Sequence, residues 1–170
     1  MGFKISWLAA QGLSKGELLS HFGLQDTEVH DEVNEEPFSS AEIPTGWAIL
    51  FSNDCAWATS NRAIALSKKA RVLSCALHEG VMVSESAFFE NGQLLWQVMH
   101  DGQLDAVNLE THGALPVNYN AIKDAAFPLE MDDEVDYAFD VPIDLARSIC
   151  GWRHDFCEFD WGTPYFTKVE

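Results

Sequence analysis

Positive charge is scarce in this chain: 10 Lys and Arg stand against 27 Asp and Glu, a formal charge of −17. Proteins that grip nucleic-acid backbones or anionic membranes set Lys and Arg against phosphate, so this balance argues against both as direct ligands. Cysteine is sparse too. Four residues, Cys55, Cys75, Cys150 and Cys157, with no C-x-x-C pair among them, do not make a dense disulfide framework, and the chain reads as cytoplasmic with reduced thiols. Long apolar runs are missing. Phe3 to Ala10 carries one Lys and is interrupted by Ser6, which leaves it shorter than a signal-peptide core or a bilayer span. No serine sits in a G-x-S-x-G elbow and no alternating Asp loop of the EF-hand type occurs, so no catalytic residue and no cofactor is assigned.

What is present is apolar and aromatic. Hydrophobic residues make up 47% of the chain and six are Trp, a composition that separates a folded acidic body from an acidic disordered tail. At 170 residues the chain reads as a single α+β domain, 1–170, that buries about 70% of its unfolded surface and is stable alone.

The acids are concentrated. Asp26, Glu28, Asp31, Glu32, Glu35, Glu36 and Glu42 fall in one stretch without a Lys or Arg. Asp124, Glu130, Asp132, Asp133, Glu134, Asp136, Asp140 and Asp144 fall in another. The first stretch, Gln25 to Glu42, has few apolar residues and includes Pro37, so it is expected to be a mobile or functional loop. Both are expected to be solvent-exposed.

Periodicity sets the remaining elements. Phe3, Ile5 and Trp7 alternate as in a half-buried strand. Ser14 with Glu17 has capping-box spacing and opens a short helix that runs to Phe22. Trp47 to Phe51 is a nearly continuous apolar run, suited to a central strand with both faces covered. Ser60 is placed to cap a second helix through about Lys69. From Arg71 the period is two for about forty residues. Strands are expected at Val72–His78, Val81–Glu90, Gln93–Asp101 and Ala106–His112, and they form the centre of a mainly antiparallel meander sheet. Asn91-Gly92 is the sharpest hairpin signal, because a type I′ turn needs positive φ at both central residues. Helices are expected at Pro116–Phe127 and from Pro142 to Cys150, and the aromatic tail from Phe156 to Val169 should pack as an edge strand or an ordered arm.

Three constellations carry candidate chemistry. Cys150, His154 and Cys157 have a C-x3-H-x2-C spacing that zinc tolerates, with Cys75 and His78 as further ligands, although free Cys is commonly a small buried hydrophobe. His100 precedes Asp101, but neighbours on a strand point to opposite faces, which leaves His100 to be satisfied by a nearby backbone group. Trp152, Phe159, Trp161 and Tyr165 are interleaved with Glu158 and Asp160, and aromatics beside acids suit Arg and Lys side chains.

The strings Trp47-Ala48-Ile49-Leu50-Phe51-Ser52-Asn53, Val81-Met82-Val83-Ser84 and Leu95-Trp96-Gln97-Val98-Met99-His100-Asp101 resemble ones in small acidic bacterial proteins to which no activity attaches. That resemblance implies a bacterial, cytoplasmic, single-domain protein and transfers no catalytic residue. In composition the chain is similar to bacterial immunity proteins, small acidic α+β inhibitors of basic toxins. The function expected is a non-enzymatic acidic binding protein, immunity- or inhibitor-like, that engages a basic protein partner through Glu32, Glu35, Glu36, Asp132, Asp133, Glu134, Trp152 and Trp161. The alternative is a small-molecule sensor or enzyme with His78, His100, His154 and the cysteines around a pocket, with or without zinc held by Cys150, His154 and Cys157.

Overall fold

The computed structural model describes residues 2–170. Its frame is a nine-stranded, wholly antiparallel sheet. In chain order the elements are β1 (Lys4–Gln11), α1 (Lys15–Phe22), β2 (Asp26–His30), β3 (Phe38–Ile43), β4 (Trp47–Ser52), α2 (Ser60–Ser67), β5 (Arg71–His78), β6 (Val83–Glu90), β7 (Gln93–Asp101), β8 (Glu110–Gly113), α3 (Tyr119–Ala126), α4 (Asp140–Cys150) and β9 (Thr167–Val169). Across the sheet the order is β2-β9-β3-β4-β1-β5-β6-β7-β8. This is the α+β fold with short flanking helices that the sequence indicates. Among the described residues, no helix is long and apolar enough to cross a membrane.

Both faces of the sheet are covered, and the strand period of two sorts side chains between them. Ile5, Trp7 and Ala9 of β1, Trp47, Ile49 and Phe51 of β4, and Leu73, Cys75 and Leu77 of β5 enter one core with α4, Trp152 and Phe166. The alternate residues Leu8, Ala10, Ala48, Leu50 and Val72 enter a second core against Leu18, Leu19, Ala63 and Leu66 of α1 and α2. This two-sided burial explains the continuous apolar run of β4, in which every residue is buried. It also corrects the expectation for β1, which lies mid-sheet between β4 and β5 and is covered on both faces instead of half-buried.

The meander from β5 to β8 is present with the expected hairpin. Asn91 and Gly92 adopt φ of 53° and 75°, the left-handed pair that a type I′ turn requires. A 3-10 turn, Glu79–Val81, joins β5 to β6. β8 starts later than expected, at Glu110, because Asp101 and Asp105 tie the preceding residues into turns, with Asp105 Oδ1 accepting from Val107 N–H at 3.0 Å. The meander forms one flank of the sheet, not its centre, because β1 pairs with β5 and carries β4 and the remaining strands on its other side.

Two further corrections concern the acidic and aromatic segments. Gln25 to Glu42 is not a loop: it contains β2 and most of β3. Nor does the aromatic tail end at an edge, since β9 inserts between β2 and β3. Gln25 N–H donates to Glu170 O at 2.7 Å and Glu170 N–H to Gln25 O at 3.0 Å, which continues the β2–β9 pairing.

Helix ends follow local chemistry. Ser14 forms the full capping box with Glu17. For α2 the cap is Thr59, one residue before the expected Ser60. Pro142 falls within the first turn of α4, where the helix leaves backbone N–H groups without intrahelical acceptors anyway.

Candidate functional site

The C-terminal end of α4 and the arm that follows it border a large open groove. Gly151 ends the helix with φ of 79°, and a Cβ there would sit 2.8 Å from Thr45 Cγ2, which favours glycine on both counts. Thr45 donates its hydroxyl to Cys150 O at 2.6 Å and pins the turn to the β3–β4 connection. The chain then drives Trp152 into the core, where its ring meets Trp7 edge-on at 5.4 Å.

Arg153 folds back along α4. Its guanidinium contacts Asp140 at 2.8 Å, Asp144 at 2.7 Å and Asp155 at 2.7 Å. Burial opposes its charge, but the Asp155 hydrogen bond and the Asp140 and Asp155 charges outweigh this and hold its pKa above the usual arginine value. Burial likewise opposes ionisation of Asp155, yet the Arg153 contact keeps that carboxyl below the usual carboxylate range.

Beyond Asp155 the arm turns tightly. Phe159 and Gly162 exchange two backbone hydrogen bonds, 3.0 and 2.9 Å long, which places Asp160 and Trp161 at the tip. Trp161 Nε1–H donates to Gly151 O at 3.2 Å, and its ring stacks on Phe159 with centroids 4.8 Å apart and an interplanar angle of 0°. Between this tip, α3 and α4 lies the groove, about 910 Å³, whose lining includes Ile122, Arg147, Phe156, Glu158, Phe159 and Trp161. Asn118 Nδ2 donates to Ser148 Oγ at 3.0 Å and ties the start of α3 to α4 beside it.

Charge in the groove is mostly negative, with Asp144, Glu158 and Asp160 facing a single base, Arg147. Asp144 is engaged by Arg153. Among the described residues, Glu158 and Asp160 have no ion pair, and Arg147 has no carboxylate partner. The Arg147 guanidinium lies instead 4.5 Å from the Phe156 ring centroid, with Arg153 5.4 Å from the same ring. Aromatic faces and unpaired carboxylates in one concavity suit a cationic side chain. A second cavity, about 530 Å³ beside α1, is lined by Glu17, His21 and Lys69, and its Glu17 is already committed to the capping box.

The candidate residues separate in the structure. Trp161 lies at the groove. Trp152 does not: it is 1% exposed and packed in the core, where no partner reaches it, contrary to the expectation. Glu32, Glu35, Asp132, Asp133 and Glu134 are exposed, while Glu36 pairs with Lys168 at 2.5 Å. Asp31 departs from the expectation of solvated acids. It is buried and accepts from the Glu35 and Glu36 N–H groups and from Ser39 Oγ. Asp136 departs as well, because it reaches His100.

The zinc constellation does not assemble. Among the described residues no three His, Cys, Asp or Glu side chains are grouped to hold a metal. Cys150 is buried, and burial pushes its thiol up to about 12, whereas Cys157 is exposed. His154 packs edge-on against Phe3 at 4.8 Å, and burial lowers its pKa. Arg147 is a groove residue that no sequence feature singles out, and it meets Phe156, one of the aromatics of the tail. Their pairing brings an exposed helix position against an aromatic in the arm, and no local spacing signals it.

The chain matches no protein-family profile, no curated protein and no solved structure. The groove and its chemistry are what point to a function.

Proposed function

We propose that this chain is a non-enzymatic acidic binding protein that engages a basic protein partner, in the manner of an inhibitor, with the groove between α3, α4 and the C-terminal arm as its contact. The observation that carries this reading is the coincidence of unpaired Glu158 and Asp160 with the Phe159–Trp161 stack. Aromatic anchors supply durable affinity, and carboxylates supply orientation. The exposed acids Glu32, Glu35, Asp132, Asp133 and Glu134 add to a net charge of −17 whose field draws a basic protein in.

The test is capture of a partner from lysate of the source cells at low and high salt, with wild type and a Glu158→Gln/Asp160→Asn variant side by side. A basic protein retained by wild type at low salt, released by salt and weakly held by the variant is the expected result. Retention of the same protein by both forms at equal strength would remove the groove from the reading, and the absence of any salt-sensitive basic partner would remove the function.

A further inference from the structure

One wall of the groove already shows how a guanidinium sits on an aromatic ring here: Arg147 lines the groove, and Arg153 lies against the same ring from outside the lining. Phe156, 38% exposed, has Arg147 at 4.5 Å and Arg153 at 5.4 Å from its ring centroid. A planar guanidinium stacks on an aromatic face and still offers in-plane N–H donors to carboxylates, whereas an ammonium is a compact, strongly hydrated point charge. Phe159 and Trp161 provide further aromatic surface in the same concavity, and Glu158 and Asp160, on either side of Phe159 in the chain, are its unpaired acceptors.

We infer that the groove is selective for arginine over lysine, and that its occupant is an arginine-bearing segment of the basic protein partner. This rests on the proposed binding function and specifies the side chain that it reads. Charge complementarity identifies the occupant: a second copy of this chain would bring another 17 net negative charges to an already acidic surface. Stacking discriminates between the two basic side chains, because both satisfy the carboxylates in charge but arginine alone adds a planar face.

Two blocked peptides of equal length and charge test the inference, one with four arginines and the other with four lysines separated by glycine, titrated calorimetrically into the intact protein at low salt. The arginine peptide should bind at least about twofold more tightly, the lower end of what one exposed cation–π contact adds. Trp161→Leu and, separately, Phe159→Leu should bring the ratio towards one while circular dichroism confirms the fold, because Phe156 already carries Arg147 and Arg153 of this chain. The second variant covers the case in which losing the Trp161–Gly151 hydrogen bond disturbs the arm. Equal affinity for the two peptides would overturn the arginine selectivity and leave a charge-reading groove in place. Failure of both peptides to bind would overturn the selectivity and the proposed groove function together. A preference for arginine that persists in both variants would place the selectivity outside these aromatics and overturn the assignment.

Discussion

His100 Nε2 lies 2.7 Å from Asp136 Oδ2, and this pair joins the end of β7 to the second acidic segment. His100 is fully buried, and its Nδ1 lies 2.5 Å from Asn108 O, so each ring nitrogen faces an oxygen. Asp136 also accepts the Phe139 N–H at 3.1 Å, which anchors the start of α4, and Ser84 donates to Phe139 O at 2.7 Å. Asp136 is therefore a structural acid just after the exposed run Asp132–Glu134.

Replacing Asp136 by Ala should lower stability by about 3 kcal/mol, because it strands a buried His nitrogen and removes an acceptor from the Phe139 N–H. Asp132→Asn and Asp133→Asn, a few residues away and exposed, should each change it by less than about 0.5 kcal/mol. Urea denaturation of the three variants separates the two kinds of acid. Equal effects at all three positions would show that the His100 contact contributes nothing to stability.

Asp31 sets up the same contrast in the first acidic segment. Its carboxylate is 5% exposed and gathers two backbone N–H groups and the Ser39 hydroxyl. Asp31→Ala should cost about 2–3 kcal/mol through the donors it leaves unsatisfied. Glu32→Gln with Glu35→Gln should leave stability within about 0.5 kcal/mol of wild type or raise it slightly, since both are exposed and their loss relieves repulsion. Thermal denaturation at fixed pH measures both; a large loss in the Glu32/Glu35 variant would mean that those carboxylates have internal partners.

These two acids mark where the sequence stopped being legible. Charge clusters report composition, and composition does not reveal that Asp31 closes a turn onto Ser39 or that Asp136 meets a histidine 36 residues earlier. Local rules were readable: the Ser14 capping box, the Asn91-Gly92 hairpin and the alternation of β5 to β7 each depend on a few adjacent residues. Long-range pairing was not. β2 and β9 are short and polar for strands, and they exist because residues far apart in the chain hydrogen-bond side by side. Of the site, the aromatic and acidic character of the arm could be read from Glu158 to Trp161, but the groove could not, because its other wall is supplied by α3 and α4.

His154 gives the fold a pH dependence. Burial is the main cause that lowers its pKa, and its Nδ1 has no hydrogen-bond partner. Between the lowered folded value and the ordinary 6.5, the unfolded chain binds more protons than the folded one. The stability contributed is therefore present above pH 6.5 and is lost as the pH falls through the folded value. Denaturation midpoints for wild type and His154→Gln, taken between about pH 7.5 and 5 to span that window, should show a shallower fall in the variant. Parallel curves would mean that other groups carry the acid sensitivity.

Arg153 is the hub through which the arm is held to α4. Removing it leaves Asp140, Asp144 and Asp155 facing one another without their common cation. Those carboxylates are between 31% and 51% exposed, so water screens the loss. Arg153→Ala should accordingly cost about 1–3 kcal/mol, less than breaking a fully buried pair. Because Arg153 also packs on Phe156, the arm should loosen locally, which faster amide hydrogen exchange around Phe159 and Trp161 would register. Unchanged exchange there would show that the Trp161–Gly151 bond and the core insertion of Trp152 suffice to hold the arm.

The distribution of acids predicts a kinetic division between the groove and the rest of the surface. Neutralising Asp132, Asp133 and Glu134 together with Glu32 and Glu35 should slow association with a captured basic partner and flatten its salt dependence, because exposed acids that do not line the groove act through long-range steering. Dissociation should hardly change. Trp161→Leu should do the opposite, leaving association nearly unaltered and speeding dissociation, since a contact at the groove acts after encounter. Stopped-flow association and dilution-driven dissociation, at two ionic strengths, distinguish the two behaviours. If the five-acid variant instead dissociates faster at unchanged association rate, those acids touch the partner directly, and the contact surface extends beyond the groove to the two acidic segments.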